Sequence, residues 1–592
     1  MPRLNLAICA ATLGLSALFL PSVTAQESDS GRLGVPRDWS HRHVVFPQAQ
    51  NYERLSGIQS DPRYWHQVHT RSMPVVERSS TVNLKRQPPR PVNTPNIRPK
   101  VDWGESMGTS ALAYTGLQSY PAKYSFNVAN PTPNCNGDYV VYTTPTGVNT
   151  RYNLIAFKNL YVNDAGTGSC SGTLPTPMFA YFASQNSGPL NSSPALSLDG
   201  TQIAFVENSS PAQFHVVKWR NGDLPTTFGN PYNAAKMVNC ATNSAVAPCE
   251  WSLTYTTAAK ATLSAPFMDY LNDIAYLSDD AGKVYAVKPV FGGGQPAIVW
   301  SVALNSSYTM TAPVYDSVSK NLFVADSSGF LYYVRTSSSS AGTCATGSPP
   351  CAGARSLDVA GGVAVVDAPI VDSTNGKVFV ISSNSPVTKN PSVVQTDTTL
   401  STSVTAYIGT SGANPLYSGA FSNAYYTNPG TGLLYVCGNG PSAAVPQLYA
   451  ISFTGTTMNA GTAAFGPQPM ATSSAGACGS VTEVFNQSLN RDELYTSVTN
   501  KCSATVTGGC VRQFDITSGF PSGGASNIVS EAGGTLGIVV DNVTNSLRGD
   551  QSETNIYFMT RTAQTCNKHT GLAAGTTNTS SCAVKLTQNS LQ

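Results

Sequence analysis

The segment TAPVYDSVSKNLFVADSSGFLYYV, from Thr311 to Val334, decides the fold. It contains three short runs rich in apolar residues, at Pro313–Tyr315, Asn321–Ala325 and Phe330–Val334, and residues such as Asp, Ser and Gly separate them. Runs of this length, bounded by turn residues, predict three antiparallel β-strands. A sheet this small cannot bury both of its faces alone, so the segment needs neighbours of the same kind.

Related segments recur along the chain. Aligned on the position of Pro313, neighbouring copies are spaced by 72, 47, 56, 55, 59 and 55 residues, with anchors at Pro194, Pro266, Pro313, Pro369, Ala424, Glu483 and Ile538. A degenerate eighth copy lies upstream, where Tyr139 to Thr143 and Asn153 to Phe157 read as strands. Repeated antiparallel sheets remove their exposed edges by closing into a ring. We therefore predict an all-β fold, a single seven- or eight-bladed β-propeller.

A polar residue recurs three positions after the anchor, as Asp269, Asp316, Asp372, Asn486 and Asp541. An acceptor at this position can cap the backbone of the turn between the first two strands, and we favour this interpretation over ligand binding. The motif Ser278–Tyr285, SDDAGKVY, resembles the Asp-box of sialidase-like propellers and indicates the next turn. Both patterns predict structure and neither predicts catalysis.

Composition restricts the class of protein. The 592 residues are 41% hydrophobic and 11% charged, and the formal net charge is +2. A typical charged fraction is about 25%, so the predicted surface consists mainly of uncharged polar residues. The near-neutral charge predicts no nucleic-acid partner.

The first 25 residues have the pattern of a Sec-type signal peptide. One arginine, Arg3, precedes the apolar run Leu4 to Leu20, and small residues precede a cleavage site after Ala25. We therefore expect a secreted, periplasmic or cell-surface protein, with no transmembrane segment after cleavage.

Twelve cysteines remain after the signal peptide is removed, and an even number predicts disulfides in an exported protein. Sequence does not prove their connectivity. The most local pairing is Cys135 with Cys170, Cys240 with Cys249, Cys344 with Cys351, Cys437 with Cys478, Cys502 with Cys510, and Cys566 with Cys582. Metal binding by thiolates is the alternative, and the chain contains no Cys-x-x-Cys motif to favour it.

Residues 26–103 form a separate region, a basic, Pro-rich extended arm, and 104–592 form the propeller. The arm has twelve Lys or Arg against seven Asp or Glu, whereas the propeller has 21 against 25. Proline is dense from Pro88 to Pro99, which favours an extended path. A short helical turn is expected near Asp61 to Gln67, and Trp39, Trp65 and Trp103 are expected to anchor the tail along the ring.

Four of the six histidines lie in this arm, as His41, His43, His66 and His69. The spacings His-x-His and His-x-x-His can place two imidazoles on one metal ion. Both pairs have arginine neighbours, which repel a cation, and no carboxylate or cysteine pattern completes a site. We predict a polar surface here, with no bound metal and no cofactor, although sequence leaves metal binding by these histidines open.

A nucleophilic hydrolase site is not indicated. The Gly-x-Ser-x-Gly motif is absent, and His215 and His569 are the histidines of the propeller region. His215 lies in an alternating strand pattern, which favours a structural role. A pair of carboxylates from different blades remains open, because sequence spacing does not determine their separation.

Two segments of the chain resemble the repeats of PQQ-like and YVTN-type bacterial β-propellers. They are SAPFMDYLNDIAYLSDDAGKVYAV, from Ser264, and TAPVYDSVSKNLFVADSSGFLYYV, from Thr311, with Trp300-Ser301-Val302 closing the first. The resemblance covers about 190–560. It implies a propeller related to quinoprotein dehydrogenases, outer-membrane assembly scaffolds and surface-layer proteins. The chain lacks the vicinal Cys-Cys pair of the dehydrogenases, and only Trp300 occupies a Trp position of the repeat.

The function we predict from these features is that of a secreted, non-enzymatic binding or scaffold module. Its long, disulfide-pinned loops would bind a protein or a cell-envelope glycan. The alternative is an extracytoplasmic enzyme, a glycan hydrolase or lyase or a quinoprotein-like oxidoreductase, with its site at the central channel. Carboxylates or arginines converging at one mouth of the channel would favour that enzyme.

Overall fold

The chain folds as a β-propeller in a computed structural model. The structure describes residues 35–48, 58–71, 98–107, 119–125, 132–145, 152–163, 165–166, 168–224, 232–233, 238–242, 246–256, 264–304, 308–344, 347–357, 365–383, 390–410, 414–440, 445–487, 489–545, 551–567 and 579–589. The predicted signal peptide and His569 lie outside these residues. Among the described helices, none is both long and apolar enough to span a bilayer.

Eight sheets of four or more strands occur in the described part of the chain. We number them as blades in chain order, each from its innermost strand outward. Blade 1 contains Ala122–Ser125, Tyr139–Thr143, Leu154–Lys158 and Thr176–Phe182; blade 2, Ala195–Leu196, Gln202–Glu207, Gln213–Lys218 and Cys249–Thr254; blade 3, Phe267–Asp269, Ile274–Ser278, Lys283–Lys288 and Ala297–Ala303; blade 4, Val314–Asp316, Asn321–Ala325, Phe330–Arg335 and Cys351–Ser356.

The second half of the ring has the same plan. Blade 5 contains Ile370–Asp372, Lys377–Ser382, Ser392–Asp397 and Ser403–Tyr407; blade 6, Ala420–Phe421, Leu433–Asn439, Pro446–Thr454 and Phe465–Pro469; blade 7, Thr482–Asn486, Arg491–Val498, Cys510–Asp515 and Asn527–Ser530; blade 8, Val539–Asn545, Gln551–Met559, Cys582–Asn589 and Arg98–Ser106. Short strands extend blades 1, 2, 5 and 6 or pair separately, at Val35–Arg37, Val44–Val45, Tyr232–Asn233, Val238–Asn239, Thr457–Met458, Gly461–Thr462, Gln564–Thr565 and Thr579–Ser580.

Apolar side chains buried between consecutive blades close the ring. Separate clusters join blade 1 to 2, blade 2 to 3, blade 6 to 7 and blade 7 to 8, and one large cluster joins blades 3 to 6. The last cluster joins blade 8 back to blade 1, where Trp103 lies 6.2 Å from Phe157 and 6.4 Å from Tyr557 between ring centroids. The predicted all-β propeller is therefore confirmed.

Blade 8 is built from both ends of the described chain. Its three inner strands come from the C-terminal region, and its outermost strand, Arg98–Ser106, pairs antiparallel with Cys582–Asn589. This strand crosses the arm–propeller boundary expected at residue 103, because Trp103 is fully buried in the ring and donates its indole N–H to the carbonyl of Leu160 at 3.1 Å.

Four of the five recurring polar residues cap turns. Asp269, Asp316, Asp372 and Asn486 each accept a backbone N–H three residues later, at 2.9–3.2 Å. Asp541 does not cap a turn, because its strand continues to Asn545, and it forms an ion pair with Lys123 instead. In the Asp-box-like turn, Asp279 accepts the N–H groups of Ala281 and Lys283 at 2.9 and 3.0 Å.

Blade 6 departs from the repeat. The repeat places its first strand at the anchor Ala424, but the structure has the strand at Ala420–Phe421, followed by an α-helix at Asn423–Thr427 and a 3₁₀ helix at Pro429–Thr431. The ring of Tyr425 stacks on Phe421 at 4.0 Å, and its hydroxyl donates to Asp372 at 2.8 Å. These contacts favour a helix at the position where the repeat predicts the first strand.

Six disulfides are present, and they join the near neighbours that the sequence order favours. The pairs are Cys135–Cys170, Cys240–Cys249, Cys344–Cys351, Cys437–Cys478, Cys502–Cys510 and Cys566–Cys582. The loops that they close range from 7 to 41 residues in sequence separation.

Candidate functional site in the plugged channel

The described part of the N-terminal arm lies inside the ring, whereas the sequence predicted only a tail along it. Val35–Arg37 pairs antiparallel with the innermost strand of blade 1, and Val44–Val45 pairs in parallel with the innermost strand of blade 5. Blades 1 and 5 are opposite each other in a ring of eight. The segment between them, with a 3₁₀ helix at Trp39–Arg42, therefore crosses the channel.

Apolar packing secures this crossing. Trp39 is 3% exposed, donates its indole N–H to the carbonyl of Pro266 at 3.2 Å, and packs edge-on against Phe267. Val44, Val45 and Phe46 are buried in the same large cluster as the inner strands of blades 3 to 6. The predicted anchoring role of Trp39 is therefore observed, but the anchor lies within the channel.

A second arm element spans the channel mouth, an α-helix at Pro62–Arg71. It begins at Pro62, as the sequence predicts, and it extends beyond the single turn that was expected. At its first turn, Arg63 binds Asp61 at 3.1 Å and donates to the carbonyl of Met268 in blade 3 at 2.9 Å. At its last residue, Arg71 donates to Glu483 in blade 7 at 2.7 Å.

Arg42 joins the crossing segment to three parts of the ring. Its guanidinium donates to the hydroxyls of Tyr120 and Ser480 at 2.9 and 2.8 Å, and to the carbonyls of Ser418 and Val481. Such a half-buried cation, held by several neutral acceptors, fixes the arm in one position because removal of any acceptor leaves a donor unpaired.

A cavity of about 80 Å³ remains between the arm and blades 6 to 8. Its charged and imidazole groups are concentrated on the arm, which contributes Arg37, Asp38, His41, Arg42, His66 and Arg71. The ring contributes one carboxylate, Glu483, together with apolar residues such as Val539. The cavity therefore has more cationic than anionic groups, and the cations belong to the arm.

The two carboxylates that line the cavity are already engaged. Glu483 accepts hydrogen bonds from Arg71, and Asp38 accepts from the backbone N–H and hydroxyl of Ser40 at 2.9 and 2.5 Å. Burial acts against the charge of Arg71, but the neighbouring Glu483 raises its pKa above the ordinary value. Both carboxylates thus serve to hold the arm.

The basic groups of the cavity differ in their charge at neutral pH. Burial lowers the pKa of Arg37 to about 10, so this guanidinium is charged at neutral pH. Burial also lowers the pKa of His41, and it lowers that of His66 well below the usual value with help from Arg37. Both imidazoles are therefore neutral at pH 7.

The four arm histidines do not form the pairs that their spacing suggests. His41 packs against His66 with ring centroids 5.2 Å apart, whereas His43 lies 3.1 Å from the carbonyl of Pro369 and His69 is on the helix near its end. Among the described residues, no group of three His, Cys, Asp or Glu side chains is placed to hold a metal ion. The proximity of His41 and His66 depends on the path of the arm, so spacing could not reveal it.

His215 is not among the residues that line the channel cavity. It lies in blade 2, between two buried glutamates. Its ring nitrogens are 2.6 Å from Glu250 and 3.1 Å from Glu207. Burial alone would lower its pKa, but hydrogen bonds to the two glutamates raise it to about 9. Glu207 also accepts the backbone N–H groups of Gln185, Asn186 and Gly188, so this cluster stabilises a loop, consistent with the structural role expected of His215.

Comparisons with known proteins show similarity at the level of the fold alone. No family model and no curated protein match the chain. Solved structures similar to it include BamB from Moraxella catarrhalis, at 9% identity and a TM-score of 0.40, covering 82% of this chain and 100% of that one. They also include Sqt1 from Saccharomyces cerevisiae, at 10% identity and a TM-score of 0.45, covering 81% and 98%, and a putative 6-phosphogluconolactonase from Bacteroides fragilis, at 11% and 0.36, covering 66% and 97%.

Proposed function

We propose that the chain is a secreted, non-enzymatic propeller of the PQQ-like or YVTN type that serves as a binding or scaffold module. The observation that carries this proposal is the arm within the channel. A channel enzyme needs room for its substrate at the centre of the ring, and here Trp39, Val44 and Phe46 are packed there as core residues. Binding to a macromolecule would then use the outer surfaces.

The carboxylates of the inner strands support a non-enzymatic role. Glycoside hydrolysis uses two acids that act on one bond. Asp269, Asp316 and Asp372 accept turn N–H groups, and Asp541 and Glu483 are bound by cations. Each of these acids has a structural partner, and the arginines that converge on the channel come from the arm that fills it.

The compartment is part of the same proposal. Disulfides form and persist in oxidising environments, and this chain has six. The sequence of residues 1–25 supports export by the Sec route. Twelve paired cysteines in a chain with so few charges fit a surface that is exposed outside the cytoplasm.

The outer strand of blade 3 favours a protein over a glycan as the partner. Ile298 and Val299 of Ala297–Ala303 are 41% and 56% exposed. In the described residues this strand pairs on one side only, whereas short added strands cover the outer edges of blades 1, 2 and 5. An exposed apolar edge strand can accept a strand from another protein through main-chain hydrogen bonds.

A capture experiment with matched variants tests this proposal. The mature protein, 26–592, would be cross-linked to envelope and extracellular proteins and applied in parallel to a glycan array. We expect a discrete protein partner that is retained by Val246→Asp and lost by Val299→Asp, since both valines are well exposed and only Val299 lies on the edge strand. Binding to glycans alone, or equal capture by the two variants, would contradict the protein-partner proposal.

A further inference from the structure

We infer that the channel cavity is a binding site for a small oxyanion, a carboxylate or phosphate group, held by side chains of the N-terminal arm. This site goes beyond the proposed macromolecular binding, because it lies inside the ring. Its basis is a set of hydrogen-bond donors that line one cavity and have no acceptor among the residues that the structure describes.

The first such donor is the guanidinium of Arg37. No acceptor among the described residues is hydrogen-bonded to this guanidinium, and the two carboxylates that act on its charge, Asp541 and Glu483, are already paired with Lys123 and Arg71. A charged guanidinium in a protein interior normally has an anionic or multiple neutral partners. Arg37 is therefore poised for an anionic ligand.

The second donor is Nε2 of His41, which is buried without a hydrogen-bond partner. The backbone N–H of Asp38 points at Nδ1 of the same ring at 3.3 Å, so Nδ1 is the acceptor. In a neutral imidazole the proton then resides on Nε2. His41 therefore presents an unsatisfied N–H, and its side chain is only 7% exposed.

Two further groups complete the donor set. Nε of Arg42 is buried without a partner, although the rest of this guanidinium is bound to the ring. His66 packs against His41 and has no hydrogen bond from its ring among the described residues. An oxyanion offers several acceptor lone pairs, and charge-assisted hydrogen bonds to it are the strongest that such donors make.

The cavity size restricts the ligand. About 80 Å³ accommodates a small group and excludes a polymer. Carboxylate and phosphate share the required chemistry, so the probes must distinguish them. Inorganic phosphate and acetate are suitable probes, and each would be added separately to the mature protein.

Calorimetric titration and thermal unfolding test the inference, at pH 7 and with ionic strength held constant by sodium chloride. We expect phosphate or acetate to bind and to raise the unfolding temperature of the wild-type protein. Arg37→Gln and His66→Gln should each weaken binding by roughly tenfold to a hundredfold, since the first removes a positive charge and the second replaces a rigid ring N–H by a flexible amide. Arg220→Gln is the matched control, because Arg220 is an exposed arginine of blade 2 that is paired with Asp223, and it should bind as the wild type does.

Two results would overturn the inference. One is the absence of binding and stabilisation with both probes in the wild-type protein. The other is equal affinity in the wild type, Arg37→Gln and Arg220→Gln. His66→Gln keeps the test decisive if Arg37→Gln does not fold, because His66 lies on a separate element, the helix Pro62–Arg71. Loss of the edge-strand partner would leave these outcomes unchanged, so the two proposals fail independently.

Discussion

The guanidinium of Arg71 lies 2.7 Å from Oε1 of Glu483 and covers the ring of Tyr426, with 3.6 Å between its carbon and the ring centroid. The final residue of the arm helix is thus bound to the innermost strand of blade 7. The same arginine donates to the side chain of Asn423 at 2.9 Å. One residue therefore connects the arm to blades 6 and 7.

Arg71→Gln should destabilise the protein by about 3–5 kcal/mol, because it leaves Glu483 buried without its cation. Burial and the neighbouring Glu483 raise the pKa of Asp492 well above its usual value, so Arg71 is the cation that the pair of acids shares. Urea unfolding measures the effect. The control Arg220→Gln removes an exposed arginine, and Asp223 keeps the hydrogen bond from Tyr181, so the loss should be at most about 1 kcal/mol; equal losses in the two variants would refute a special role for Arg71.

Trp103→Ala tests the strand that completes blade 8. Trp103 is fully buried between blades 8 and 1, and its removal should cost about 3–5 kcal/mol of unfolding free energy. Trp65, on the arm helix, is only partly buried, so Trp65→Ala should cost clearly less. A smaller loss for Trp103→Ala than for Trp65→Ala would show that Arg98–Ser106 does not hold the ring closed.

His215→Leu should destabilise the fold in a pH-dependent way. The folded pKa of about 9 exceeds the unfolded value of about 6.5, so the charged His215 contributes its full stabilisation below pH 6.5 and loses it as the pH rises through 9. We expect a loss of about 3–5 kcal/mol at pH 6 that decreases towards pH 10. The control His69→Leu, at a half-buried histidine, should show a small loss; a pH-independent loss at His215 would contradict the assigned charge.

The contribution of each disulfide to the free energy of unfolding should increase with the length of the loop that it closes. Cys437–Cys478 has a sequence separation of 41 and Cys502–Cys510 one of 8. In the chain-entropy treatment, replacing the first pair with serine should cost about 4 kcal/mol and the second about 2.5 kcal/mol. Denaturant unfolding of the two double variants, compared under oxidising conditions, measures the difference, and the reverse order would exclude loop entropy as the dominant effect.

The sequence predicted those features that depend on local contacts. Turn caps such as Asp316 and Asp372, which accept the backbone N–H three residues later, follow from a repeated pattern. The pairing of cysteines adjacent in sequence order follows from their spacing. The prediction for blade 6 was wrong in detail, because aromatic stacking between Phe421 and Tyr425 favours a helix where the repeat predicts the first strand.

The path of the arm could not be predicted in the same way. Residues 35–48 have no repeat that matches the ring, and their partners, such as Pro266 and Pro369, are more than 200 residues away in sequence. The strand Arg98–Ser106 contains Pro99 and charged residues, so its sequence predicts a linker segment. Its pairing is determined by the open edge of Cys582–Asn589, which local sequence does not encode.

The pairing of Arg98–Ser106 with Cys582–Asn589 has a consequence for biogenesis. The two partners are separated by most of the described chain, so the seam of the ring stays open until Cys582–Asn589 has been synthesised and has found Arg98–Ser106. Contacts of such long range slow the search for the native state. Closure of the ring is therefore a long-range step, whereas the four main strands of each of blades 1 to 7 come from one continuous stretch of the chain.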